Sequence, residues 1–93
     1  VEAYHAGNVR NLLLELGQQS VTQAVSDLRD NIDGAGDKDQ GIELGGRANI
    51  VPTDSNGIAF SRSTREVLNI VYGQVNAAQG LFFPNGLNGT IRA

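Results

Sequence analysis

Residues 2–16 carry one strongly apolar helical face, and that face limits what this chain can become more than any other feature. On a wheel turning by about 100° per residue, His5, Val9, Leu12, Leu13 and Leu16 fall within roughly a 100° arc around Glu2. Arg10, Asn11 and Glu15 fall outside the arc and define the expected solvent side. Gly17 follows as a natural stop. There is no matching start. The first turn of a helix needs Ser, Thr, Asp or Asn to accept from its free N–H groups, and Val1 offers no such acceptor. The expectation is a helix that continues further back in a longer parent protein, and the absence of methionine, position 1 included, points the same way.

The face is also too large for its own chain. With 93 residues, a domain buries only about 60–65% of its unfolded surface, so its core is thin. Leucines of such a helix need cover from elsewhere. Other classes of partner are disfavoured by composition. Ten acidic against seven basic side chains give a formal net charge of -3, without the basic footprint that nucleic acid or an anionic membrane requires. No apolar run approaches the ~20 residues of a membrane span, and no signal segment is present. The lack of cysteine excludes disulfide frameworks, thiolate zinc sites and cysteine nucleophiles.

Downstream, Ser20 and Gln23 form a capping-box pattern ahead of Val21, Ala24, Val25, Leu28 and Ile32, which predicts a second helix over about 21–32. The run DGAGDKDQGIELGG cannot hold a helix and reads as a surface loop. Residues 47–60 are extended and turn-rich, punctuated by Pro52 and the pair Asn56-Gly57, and no regular strand is assigned there. Ser63 and Glu66 make another capping box, predicting a short helix over 64–72 that ends at Gly73 and buries Val67, Leu68, Ile70 and Val71. The tail, with Phe82 and Phe83 before Pro84 and two Asn-Gly pairs, is expected to be irregular and anchored by its aromatic rings. The fold class is therefore all-α, with short helices and irregular loops.

Glu2 and His5 are the candidate metal ligands. At i and i+3 on a helix, a carboxylate oxygen and an imidazole nitrogen project side by side and can reach one ion, as in carboxylate-bridged metal bundles. The plainer alternative is that they hydrogen-bond each other or a neighbouring helix. Asp30, Asp33, Asp37 and Asp39 offer oxygens suited to calcium, yet no register fits the EF-hand loop, so a solvated loop is the preferred reading. Asn88-Gly89-Thr90 is a glycosylation sequon, taken as incidental. A single histidine without a nucleophile elbow, and glycine-rich runs without phosphate-loop spacing, argue against hydrolase and nucleotide chemistry. Catalytic and organic-cofactor residues are accordingly not assigned.

Taken in order, VEAYHAGNVRNLL, VSDLRDNIDG, KDQGI, NIVPTDSNGIAFSRSTREVLNIVYG and GLFFPNGLNGTIR resemble the C-terminal part of the ferritin-like desiccation-related proteins of bacteria and plants. The resemblance runs almost end to end. It implies that residues 1–17 are the last helix of a four-helix ferritin-like bundle and that 18–93 form a C-terminal extension. It also implies that Glu2 and His5 match the E-x-x-H of that helix, with the other ligands on helices outside this sequence. The cofactor implied is iron or another divalent metal, and an exported location is implied too.

On this basis the expected partner is the missing N-terminal half of the same protein, or a further copy of the chain. The expected role is a stress-associated structural or binding protein rather than an enzyme. The alternative is a di-iron oxidase or iron-handling protein that uses Glu2 and His5. A third possibility is an assembly component whose aromatic tail and acidic loop join subunits.

Overall fold

The computed structural model describes residues 1–93. Its elements are α1 (Glu2–Glu15), α2 (Gln19–Asp33), β1 (Glu43–Leu44), β2 (Arg47–Ala48) and α3 (Thr64–Tyr72). The chain is helical, with a single small two-stranded sheet beside the three helices. It divides into two compact units, one of Val1–Leu28 with Asp37–Phe60, the other of Arg29–Gly36 with Ser61–Ala93.

In the first unit, α1 stops as its sequence requires. Gly17 takes φ 69, a left-handed conformation open to glycine at little cost. That turn lets Gly17 N–H donate to the Leu14 carbonyl and Gln18 N–H to the Leu13 carbonyl, each at 3.0 Å, which satisfies the last carbonyls of the helix. The Gln18 carbonyl then accepts from Thr22 N–H at 3.0 Å, the first bond of α2. One residue thus closes one helix and opens the next. Ser20, expected to cap α2, consequently lies inside it, and the helix starts at Gln19. The local capping pattern is overridden because the turn after Gly17 leaves no residues to spend on a separate cap.

Arg10 departs most from expectation. Instead of facing solvent, it is half-buried, and its guanidinium reaches across to the loop over 40–49. Nε and Nη2 donate to the Asn49 carbonyl at 2.9 and 2.7 Å, and Nη2 also donates to the carbonyls of Gln40 and Gly41. Asn49 completes the lock, with Nδ2 donating to Gln40 Oε1 and the Gly41 carbonyl, and its N–H to the Ile42 carbonyl. Ile42, 2% exposed, is the apolar centre of this unit. Gly7, one turn before Arg10, is buried because a Cβ there would meet Ile50 Cγ2 at 3.3 Å and Val51 Cγ2 at 3.4 Å. So α1 packs on the loop through Gly7 and Arg10, while Leu13 and Leu14 are half-buried and Leu12 and Leu16 exposed.

Between these contacts the chain makes a minimal hairpin, β1 pairing antiparallel with β2 in the register Glu43 to Ala48 and Leu44 to Arg47. Its loop is Gly45-Gly46, both at positive φ (57 and 75), the conformation of a type I′ turn. The expected turn at Asn56-Gly57 is present. Asp54 organises it, accepting from the N–H groups of Asn56 and Ile58 through Oδ1 at 2.8 and 3.0 Å, while Thr53 bridges Ala59.

The second unit is built on α3. Its Ser63 and Glu66 form the predicted capping box, and Gly73, φ 70, ends it with the same pair of bonds that ends α1. The buried side is Leu68, Asn69 and Tyr72, one position off the predicted set; Val67 is exposed, and Ile70 and Val71 are half-buried. Asn69 is buried because its Oδ1 accepts from Asn76 N–H at 3.0 Å, tying the chain beyond the helix back to it. The tail is irregular as expected, but its aromatic rings do not anchor it, since Phe82 is 72% exposed. Tyr72 does so instead. Its hydroxyl donates to the Arg92 carbonyl at 2.6 Å and accepts from Leu87 N–H at 3.2 Å. Buried Tyr needs such partners, and here they fasten the tail at two points.

Candidate functional site

Glu2 and His5 lie in the first turns of α1, where Val1 occupies the N-cap position without a side-chain bond. Both side chains are exposed, and no hydrogen bond joins them to each other or to other parts of the chain. They continue a row. Glu2, His5, Val9, Leu12 and Leu16 recur at alternating spacings of three and four, the a/d seam by which bundled helices interlock. Val9 is 58% exposed, Leu12 55% and Leu16 62%. The seam is therefore uncovered within this chain, with the carboxylate and the imidazole at its upper end.

A second uncovered row lies on α2, where Val21, Val25 and Leu28 repeat at spacings of four and three and are all exposed. The two rows account for most of the large apolar surface that the helices of the first unit present to water.

The donor chemistry at Glu2 and His5 suits a divalent metal. A carboxylate oxygen and an imidazole nitrogen one helical turn apart can share an ion, and neither is committed to an internal partner. They supply two ligands, fewer than a catalytic metal centre takes from protein.

Of the four aspartates read as a solvated loop, Asp30 and Asp33 lie in α2, and Asp33 and Asp39 are buried. Asp33, in the second unit, is 1% exposed, and its Oδ2 accepts from Arg62 Nε at 3.0 Å. Its Oδ1 is buried without a partner, so the Arg62 pair carries the compensation for burying this charge. Asp39, in the first unit, is buried as well, and Asp37 is exposed. A groove in the second unit, lined by Arg62, Thr64, Val67, Leu68 and Ile91, is apolar apart from Arg62 and Thr64 and holds no acid–base pair.

Sequence reasoning missed Arg10 and Tyr72, two side chains that fix loops. The acceptors of Arg10 lie 30 or more positions away along the chain, and local spacing contains no trace of them. For Tyr72 a trace existed, since its position one turn after Leu68 places it on the buried face.

The chain is similar to the ferritin-like catalase Nec2 of Nesocodon mauritianus, with 33% identity over 79 residues. The matched region is 75% of this chain and 25% of that protein. The chain thus spans about a quarter of the length of the relative it matches. No family model and no solved structure matches. The likeness is to a ferritin-like protein, and no helix here is long and apolar enough to cross a membrane.

Proposed function

We propose that α1 is the last helix of a ferritin-like bundle, that residues 18–93 form its C-terminal extension, and that Glu2 and His5 are two ligands of the bundle's metal centre. The observation that carries this is the uncovered a/d seam of α1 with both donors on it. Burying a leucine is worth about 1.5–3 kcal/mol, so the seam supplies a strong drive toward helices that cover it. The helices that do so are the remainder of a ferritin-like protein or, failing that, a second copy of the chain.

The relative's name as a catalase makes hydrogen peroxide the first substrate to test, with iron or another divalent metal at the centre. When bound, such a metal supplies the redox chemistry; Glu2 holds it through a carboxylate oxygen and His5 through a ring nitrogen. A structural or binding role associated with drying stress, as the desiccation-related resemblance implies, is the competing reading, and it is favoured by donor count, because the chain has a single histidine. Export belongs to the same resemblance and is checked by locating the protein in cell fractions.

The deciding experiment loads the purified protein with Fe(II) or Mn(II), removes the excess, and measures retained metal and peroxide decay. Stoichiometric metal that is lost in Glu2→Gln and His5→Asn supports the metal reading. Retention that is negligible, or unchanged by both substitutions, sinks it. Solution mass tests the seam separately: a lone species at 9.8 kDa contradicts a second copy of the chain as its cover.

A further inference from the structure

The chain contains three Asn-Gly pairs, Asn56-Gly57, Asn85-Gly86 and Asn88-Gly89. Such pairs are chemically labile, because the glycine nitrogen meets little steric hindrance in attacking the preceding side-chain amide. The structure treats the three differently. Gly57 N–H donates to the Asp54 carbonyl at 3.0 Å, and Asn56 N–H is held by Asp54 Oδ1. Gly86 N–H donates to the Phe83 carbonyl at 2.9 Å. In both, φ of the glycine is near 75 and the nitrogen is pinned away from attack.

Asn88 and Gly89 are free of such restraint. Neither makes a backbone hydrogen bond, and both are exposed. They sit in an arch whose stems are fastened at Leu87 N–H and the Arg92 carbonyl, both to the Tyr72 hydroxyl. The arch itself is held by its ends alone.

We propose that Asn88 is the spontaneous modification site of this protein. Gly89 N attacks Asn88 Cγ, the N–Cγ bond forms, the Cγ–Nδ2 bond breaks, and the amide leaves as ammonia with the proton from Gly89. Water then opens the resulting succinimide. Addition at Cγ gives aspartate, and addition at the Asn88 backbone carbonyl gives isoaspartate, with the main chain routed through the former side chain. No oxidant or co-reactant besides water is needed. The net charge becomes one unit more negative than -3, and the Asn88-Gly89-Thr90 sequon loses the amide that would accept a glycan.

The test is incubation of the purified chain at mildly alkaline pH, followed by peptide mapping for the one-dalton gain and for isoaspartate. In the folded protein the Asn88 peptide is expected to convert several times faster than those of Asn56 and Asn85, and in denaturant the three rates converge. Gly89→Ala, whose Cβ has only the Ile91 carbonyl oxygen near it, at 4.0 Å, should slow conversion by an order of magnitude with an unchanged melting curve. Asn56 or Asn85 matching Asn88 in the folded protein overturns the proposal. So does an Asn88 excess that persists undiminished in denaturant, or a Gly89→Ala rate equal to that of the wild type.

Discussion

The two helices α1 and α3 end alike and begin differently. Each is closed by a left-handed glycine with the same pair of backbone bonds. Yet α3 opens on a complete capping box and buries Leu68, Asn69 and Tyr72, whereas α1 has no side-chain cap and leaves Val9, Leu12 and Leu16 in water. The nine-residue α3 satisfies both of its ends and buries Leu68 and Tyr72. A fourteen-residue helix held on one side by Gly7 and Arg10 leaves its seam uncovered. The contrast teaches that helix length says little about where a helix draws its stability.

The contrast breaks most visibly in α3. Leu68→Ala removes a side chain that is 5% exposed, and a loss of about 2–5 kcal/mol in urea unfolding is expected. A loss below 1 kcal/mol would mean that α3 is not the core it resembles. Next comes Arg10→Met, which keeps most of the aliphatic stem and removes the donors to three carbonyls. It should cost about 2 kcal/mol, since charge-assisted bonds are lost and acceptors are stranded, and faster amide exchange at Asn49 should accompany it. Ser63→Ala deletes half of the capping box and should cost about 1 kcal/mol. Smallest in the chain alone is Leu12→Ala, expected within about 0.5 kcal/mol because the side chain is already exposed. The same substitution sharpens the comparison in an assembled bundle, where the loss should rise to about 2–5 kcal/mol. Equal effects in both settings would remove α1 from any interface.

What could be read from the sequence follows from how local each determinant is. The boundaries of α3 were legible because Ser63, Glu66 and Gly73 act within one turn of themselves. The end of α1 was legible for the same reason, through Gly17. The start of α2 was not, because Gln18 serves two helices at once and displaces Ser20 from its expected task. The hairpin at Gly45-Gly46 is only two residues deep on each side, too short for alternation to announce it, although a Gly-Gly pair is itself a turn marker. Arg10 looked like a solvent residue on the wheel, and only the folded loop supplies its carbonyls. For the candidate site, the shared face of Glu2 and His5 was legible from their spacing, because two positions three apart on a helix lie one turn from each other.

Gln18 gives the corner between α1 and α2 a mechanical character. A connection in which one residue's N–H and C=O are committed to successive helices leaves no residue between the two sets of bonds. A residue inserted at that corner would give each helix a terminal residue of its own and uncouple the end of α1 from the start of α2.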